Sequence, residues 1–226
     1  MHGPINVNRA LIVGASGGIG AAVAETLEDK AVEVVRLSRS AGGFDLRDPE
    51  SIDRSLTACH GLFDLIFVAT GILAPKGFGP EKSLDQIDAA AMVEAMTVNA
   101  VGPALIMRHL PRLLPKTGRT VVAVLTARVG SIGDNRLGGW YSYRASKAAA
   151  NQIVRTAAIE IGRKRKEAII VALHPGTVAT PFTSGFQGYR KSTPTEAAGN
   201  LLSVIGDLTP ADTGSFRDWA GLEVPW

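Results

Sequence analysis

RALIVGASGGIGAAVAETLED, residues 9–29, joins a short apolar run, a cluster of glycines and a helical pattern. Arg9 to Val13 is a short apolar run, the pattern of a strand buried on both faces of a parallel sheet. GASGGIG follows, with Gly14, Gly18 and Gly20 in a G-x-x-x-G-x-G spacing, and then the helical run AAVAETLED. A strand, a glycine turn and a helix start together make an anion site. Glycine lets the backbone approach a pyrophosphate, and the helix N-terminus offers N–H donors and the positive end of its dipole. The spacing differs from the G-x-G-x-x-G fingerprint, so a merely tight turn is the competing reading.

Working outward, the next strand, Val32 to Leu37, ends in Ser38-Arg39-Ser40. That lies about twenty residues beyond the glycines, where a dinucleotide fold reads the adenosine ribose. An acid there would accept from a 2′-hydroxyl. A hydroxyl and a guanidinium suit a 2′-phosphate instead, favouring NADP(H), with NAD(H) as the lesser option. Arg39 as an ordinary loop cation is the bland alternative.

The remaining chain keeps the alternation. Phe44-Asp45-Leu46 reads as a brief extended stretch, followed by a helix that Asp48 caps with Pro49 at its first position. Residues 64–69, 119–125 and 168–173 read as buried strands, and the first of these runs into Thr70-Gly71. Ser83 to Met96 reads as a helix, with a further helical segment to about Leu114. Asn99 lies inside it, as a kink, a satisfied core amide or an anchor for water. The strand after Ala168 ends in His174-Pro175-Gly176-Thr177, residues 194–207 form another helix, and the tail holds a last short strand. Strands alternating with helices imply an α/β fold: a doubly wound, mainly parallel sheet with helices on both faces. Its ligand crevice lies beyond the strand C-termini.

Length and composition agree. The 226 residues suit one domain over residues 1–226, and 46% hydrophobic with 20% charged residues is ordinary for a globular protein. A net charge of +3 is too small to argue for nucleic acid, and Arg163 to Lys166 reads as the solvated end of a helix. Cys59 is the only cysteine, which excludes an intrachain disulfide and makes the cytoplasm the expected compartment. The four histidines lack metal-ligand spacing, so no metal is expected. No uninterrupted run of about twenty apolar residues occurs, so no membrane partner is expected.

WYSYRASKAAANQIV, residues 140–154, carries the chemistry. Tyr143 and Lys147 stand four apart, one turn along the same helical face. An ammonium beside a phenol favours the phenolate and lowers the cost of giving up its proton. By itself the pair also fits an ordinary solvated helix.

With these residues together the chain resembles the short-chain dehydrogenase/reductase family. The matching elements are GASGGIG at 14–20, Asn99, YRASK at 143–147 and HPGTVATPF at 174–182. RVGSIGDN at 128–135, GGWYSYRASKAA at 138–149 and the closing G-x-x-x-P-W look like its C-factor and sniffer-type carbonyl reductase branch. The resemblance implies a single Rossmann-type domain of about seven strands. It implies a small-molecule carbonyl or alcohol substrate and a homo-oligomer, dimer or tetramer. Tyr143 would be the acid/base, Lys147 would hold the nicotinamide ribose, and Asn99 would anchor a proton-relaying water. Gly14, Ser16, Gly18, Ile19 and Gly20 would meet the phosphates, Ser38 and Arg39 the 2′-phosphate, and Asp45 and Leu46 the adenine. Thr70 and Gly71 would pass near the ribose, while Pro175, Gly176, Val178 and Thr180 would enclose the nicotinamide.

Departures from the family pattern are informative. Its usual Ser-Ser pair after the strand ending at Leu125 is Thr126-Ala127 here, with alanine in the expected column. Ser131, twelve before Tyr143, is the expected substitute hydroxyl if the loop bends suitably, with Thr126 or a backbone group as the alternatives. Val68-Ala69-Thr70-Gly71 stands where the family keeps Asn-Asn-Ala-Gly, and Val13 where threonine is common. Phe182, Phe186 and Tyr189, in a short substrate lid, point to apolar or aromatic carbonyl substrates or to plain packing. The rival to an enzyme is a catalytically weak nucleotide-binding signalling or scaffold protein.

Overall fold

The computed structural model describes residues 7–40, 42–185, 188 and 190–226. Six strands form one sheet: β1 (Arg9–Val13), β2 (Glu33–Leu37), β3 (Leu65–Val68), β4 (Thr120–Leu125), β5 (Ala168–His174) and β6 (Phe216–Asp218). All neighbours pair in parallel, in the order β2-β1-β3-β4-β5-β6. The apolar runs are continuous because both faces are covered, and alternate residues serve different layers. Leu11, Val13, Ile66, Val68, Val122 and Val124 pack on one face. They meet Leu56 of α2 (Pro49–Ala58), Ile106 of α4 (Gly102–Met107) and Val154 of α6 (Tyr141–Gly162). Ala10, Ile12, Leu65, Phe67, Val121 and Ala123 face the other way. There they meet Val23 and Leu27 of α1 (Gly18–Glu28) and Leu201 and Ile205 of α7 (Pro194–Asp207).

Six strands, not about seven, are found among the described residues, because Phe44-Asp45-Leu46 stays outside the sheet. Local bonds take its backbone. The Asp45 N–H donates to Ser51 Oγ at 3.1 Å, and Asp45 Oδ1 accepts the Arg47 N–H at 3.0 Å. The chain therefore turns directly into α2, whose start Asp48 caps by accepting from the Glu50 N–H at 2.9 Å.

The long helical region is also more broken than its apolar pattern predicts. A short turn at Leu84–Gln86 precedes α3 (Ala89–Met96), which passes through a wide π-type turn, Thr97–Val101, into α4; α5 (Leu110–Leu113) follows. Pro103 has no N–H to give to the Asn99 carbonyl four residues back, which accounts for a local change of winding. Ala89–Met107 is long and apolar enough to cross a membrane by length and composition, with half of the window buried inside the fold. In this fold its apolar side serves the sheet and α6.

The order of strands sets the place of the site. From β1 the chain moves outward to β2 and then returns to the opposite side of β1 for β3, so the crossover direction reverses between β1 and β3. Loops from the two halves diverge there and leave a crevice at the strand C-termini.

Candidate active site

The glycine turn packs tightly for two separate reasons. Gly14 has φ +88°, a conformation that glycine takes at little cost, and an added Cβ would come within 2.8 Å of the Ala69 carbonyl oxygen at the end of β3. At Gly20 an added methyl would overlap the Gly14 carbonyl, so α1 starts pressed against the turn. Gly17 is the N-cap of α1 and supplies no side-chain bond. The first-turn N–H groups therefore have no side-chain cap. Ser16, Gly17, Gly18 and Ile19 line the cleft, whereas Gly14 and Gly20 lie behind it.

Beyond β2, Arg39 is exposed and reaches the cleft wall. Ser38 is buried beside it, its hydroxyl 3.5 Å from Ser40 Oγ. Asp45 and Leu46 do not join them. Asp45 is tied to Arg47 by backbone and side-chain bonds, which hold its carboxyl below the usual carboxylate range, and Leu46 packs in the core against Gly102.

Tyr143 and Lys147 occupy the first turns of α6, both buried, with Lys147 Nζ 5.9 Å from the phenol ring centre. Lys147 donates to the Leu125 carbonyl at 3.1 Å, which anchors its ammonium at the end of β4. A Cβ on Gly71 would sit 3.1 Å from that nitrogen, so Gly71 leaves the space in which Nζ stands. Burial dominates the electrostatics of both groups. It pushes the Tyr143 hydroxyl above its ordinary value and pulls Lys147 down to about 8, because an apolar setting disfavours phenolate and ammonium alike. The phenol is thus held protonated, and a lysine that simply promotes the phenolate is only part of the balance.

Asn99 resolves as a satisfied amide behind this pair. Its Oδ1 accepts from the Ile72 N–H at 2.8 Å, and its Nδ2 donates to the Ile72 carbonyl and Ser146 Oγ, each at 2.9 Å. Ser146 donates in turn to the Tyr143 carbonyl at 2.9 Å. Asn99 therefore couples the loop after β3 to the turn of α6 that carries Tyr143, without lining the cleft itself.

The structure does not bring Ser131 to the cleft. The short turn Arg128–Gly130 lies against α6, where a Cβ on Gly130 would come within 2.8 Å of the Lys147 backbone. Ser131 is thereby turned inward, buried, and its Oγ accepts the Asp134 N–H at 3.0 Å. Thr126 and Ala127 line the cleft instead, and Thr126 Oγ1 is buried with no hydrogen-bond partner among the described residues. Such an orphaned hydroxyl costs stability unless a ligand engages it.

The entrance to α6 is strained and clamped. Gly138, Gly139 and Trp140 have φ of +64°, +62° and +56°, the last at a non-glycine residue. The Trp140 N–H donates to the Glu81 carbonyl at 2.5 Å. The buried Glu81 carboxylate accepts the Ser142 N–H at 3.2 Å and the Ser142 hydroxyl, so it caps the positive end of α6. The Trp140 ring meets Tyr143 edge-on at 6.1 Å, and Phe182 lies 5.8 Å from Tyr143 on another side. Phe186 and Tyr189 lie outside the described residues.

On the β5 side, His174, Pro175, Gly176, Thr177, Val178 and Thr180 line the cleft, and an added Cβ on Gly18 would come within 2.7 Å of Thr180 Cγ2. His174 is half-buried, with Nδ1 enclosed and unpartnered among the described residues; loss of hydration pulls its imidazole down to about 4, opposed in part by Asp218. The whole cleft encloses about 1060 Å³. Of the sequence candidates, the structure gathers Ser16, Gly18, Ile19, Arg39, Thr70, Gly71, Tyr143 and Lys147, with Pro175, Gly176, Val178 and Thr180, around it. Arg128, Arg136, Trp140, Arg144 and His174 also line it, though the sequence reading assigned them no role. Their common signal is proximity to Tyr143 or to a strand C-terminus. Among the described residues no group of acids, histidines and cysteine forms a metal site.

Comparison with known proteins adds the following. A family model described as enoyl-(acyl carrier protein) reductase matches residues 14–215. A 1-hydroxy-2-glutathionyl-2-methyl-3-butene dehydrogenase from Rhodococcus sp. (strain AD45) is 30% identical over 97% of this chain and 100% of its own. The C-signal protein of Myxococcus xanthus is 35% identical over 74% of this chain and 95% of its own. Among solved structures, an NADPH-bound carbonyl reductase from chicken fatty liver superposes with a TM-score of 0.88 at 24% identity, covering 100% of this chain and 96% of that one.

Proposed function

The chain belongs to the short-chain dehydrogenase/reductase family, and we propose that within it the protein is an NADPH-dependent carbonyl reductase or alcohol dehydrogenase. The observation that carries this reading is the buried Tyr143 beside Lys147 in the cleft that the glycine turn opens onto. NAD(P)-dependent oxidoreduction is the family's chemistry, and it is favoured over a nucleotide-binding scaffold without turnover.

The residues present fit a dinucleotide. The uncapped start of α1 suits the phosphates, Arg39 on the cleft wall suits a 2′-phosphate, and Gly71 with Lys147 leaves room and charge for a ribose. NADPH bound there would supply the hydride for a substrate carbonyl carbon. Tyr143 then gives its hydroxyl proton to the carbonyl oxygen, and accepts it back in oxidation. The Thr126 hydroxyl, without a partner among the described residues, holds that oxygen in place of the family's serine. Lys147, fixed by the Leu125 carbonyl, keeps positive charge near the phenol at neutral pH and below. Asn99 spends both amide hydrogens within the protein, so a relay water falls to its backbone carbonyl, to which Pro103 can donate nothing.

Steady-state assays test the reading: NADPH oxidation with a panel of aldehydes, ketones and quinones. Turnover that falls about 10²-fold or more in Tyr143→Phe supports it. No turnover with any substrate, or equal rates for both proteins, would overturn it. In the same assays Arg39→Asp weakens NADPH while sparing NADH; equal loss for both removes the 2′-phosphate assignment.

A further inference from the structure

The half of the cleft beyond Tyr143 has a charge that the hydride-transfer reading leaves unused. Arg128, Arg136 and Arg144 line it, together with a single acid, Asp134. Their bonds differ. Arg128 is committed to Asp134, Nε to Oδ2 at 2.5 Å. Arg144 is committed to backbone, its Nε 2.9 Å from the Gly139 carbonyl and its Nη1 3.2 Å from that of Val129. Arg136 makes no hydrogen bond or ion pair among the described residues, although its charge acts on Asp134 from the same wall. One carboxylate shared between two guanidiniums leaves the wall positive, and Arg136 keeps its planar fork for a ligand. Apolar groups line the same cleft: Trp140 and Phe182 both pack against Tyr143, and Leu137, which follows Arg136, is 86% exposed.

We propose that this half of the cleft selects amphipathic carbonyl substrates: an apolar or aromatic body over Trp140 and Phe182, and a carboxylate received by Arg136. The inference rests on the carbonyl reductase reading and names the class of substrate for that same site. A guanidinium fork matches a planar carboxylate in two parallel bonds, which a neutral substituent cannot make. Position on an exposed rim limits the gain and makes it sensitive to salt.

The test compares 4-carboxybenzaldehyde with its methyl ester, two aldehydes alike in body and differing in charge, under NADPH in the wild type and in Arg136→Gln. The expected result is a kcat/KM for the acid roughly tenfold above that for the ester. Arg136→Gln should erase this preference through KM, and 0.5 M salt should shrink it. Equal kcat/KM for acid and ester in the wild type overturns the proposal while leaving the reductase reading intact. So does a variant that weakens both aldehydes alike, or that raises the KM for NADPH instead, since Arg136 would then serve structure or cofactor. Absence of turnover with either aldehyde and with the wider carbonyl panel fails the parent reading, and this inference with it.

Discussion

Thr126 and Ser131 are both buried hydroxyls within a few residues of the β4 terminus, yet only one faces the cleft. Ser131 spends its oxygen on the Asp134 N–H, whereas Thr126 Oγ1 has no partner among the described residues. Replacing Thr126 with valine keeps the shape and removes the donor, so kcat should fall about 10²-fold while KM for NADPH holds. Ser131→Ala should leave the chemical step within a few-fold of wild type and show its effect in stability. The reverse ranking in single-turnover rates would return the role to Ser131. His174 makes a different prediction at this scale. Desolvation holds its half-buried imidazole down at about 4 in the folded chain, against the ordinary value of 6.5 when unfolded, so acid protonates the unfolded state first. Stability from this group is complete above the unfolded value and is lost as pH falls from about 6.5 toward 4, on the order of 2–3 kcal/mol. Urea titrations across that range should show a flatter profile in His174→Asn. Identical profiles would mean that the ring is hydrated or paired.

At the scale of elements, the entrance to α6 decides whether Tyr143 is aimed. Three successive left-handed residues end at Trp140, and such a conformation at a non-glycine position persists only where the surroundings hold it. Glu81 supplies the hold, through its carbonyl to Trp140 and its carboxylate to Ser142. Glu81→Ala should therefore cost about 1–2 kcal/mol in a urea titration, as loss of an N-terminal cap does. It should also lower kcat more than KM. Glu81→Gln keeps one acceptor oxygen and should recover most of both. An alanine variant with unchanged stability and kcat would show that the Gly138–Trp140 turn holds itself. The second tether of α6 is Asn99, which joins the wide turn after α3 to Ser146. The loop after β3 and the wide turn after α3 thus meet on the helix that carries Tyr143.

At the scale of the whole molecule, the parallel sheet was legible because its strands are nearly continuous apolar runs, and the chain from Arg9 to Val13 forms the expected strand. Residues 194–207 likewise form the expected helix, since Thr193 and Pro194 start it and Glu196 completes a capping box. What remained hidden depended on contacts distant in sequence or on competing local bonds. Phe44-Asp45-Leu46 reads as extended, but its Asp45 and Ser51 side-chain bonds replace sheet pairing. Ser131 has a suitable spacing from Tyr143, but the packing of Gly130 on Lys147 turns it away. The arginines of the cleft wall are indistinguishable from surface charges until the loop is folded over the site. In the proposed reaction this cleft places a hydride on a carbonyl carbon while Tyr143 delivers the proton. The most direct measurement follows the label from NADPH dideuterated at the reduced nicotinamide C4 into the alcohol formed from a carbonyl substrate, by mass spectrometry and NMR. The account predicts one deuterium on the carbinol carbon with the wild type and loss of that product with Tyr143→Phe. An alcohol free of deuterium, or labelled equally well by the variant, would contradict it.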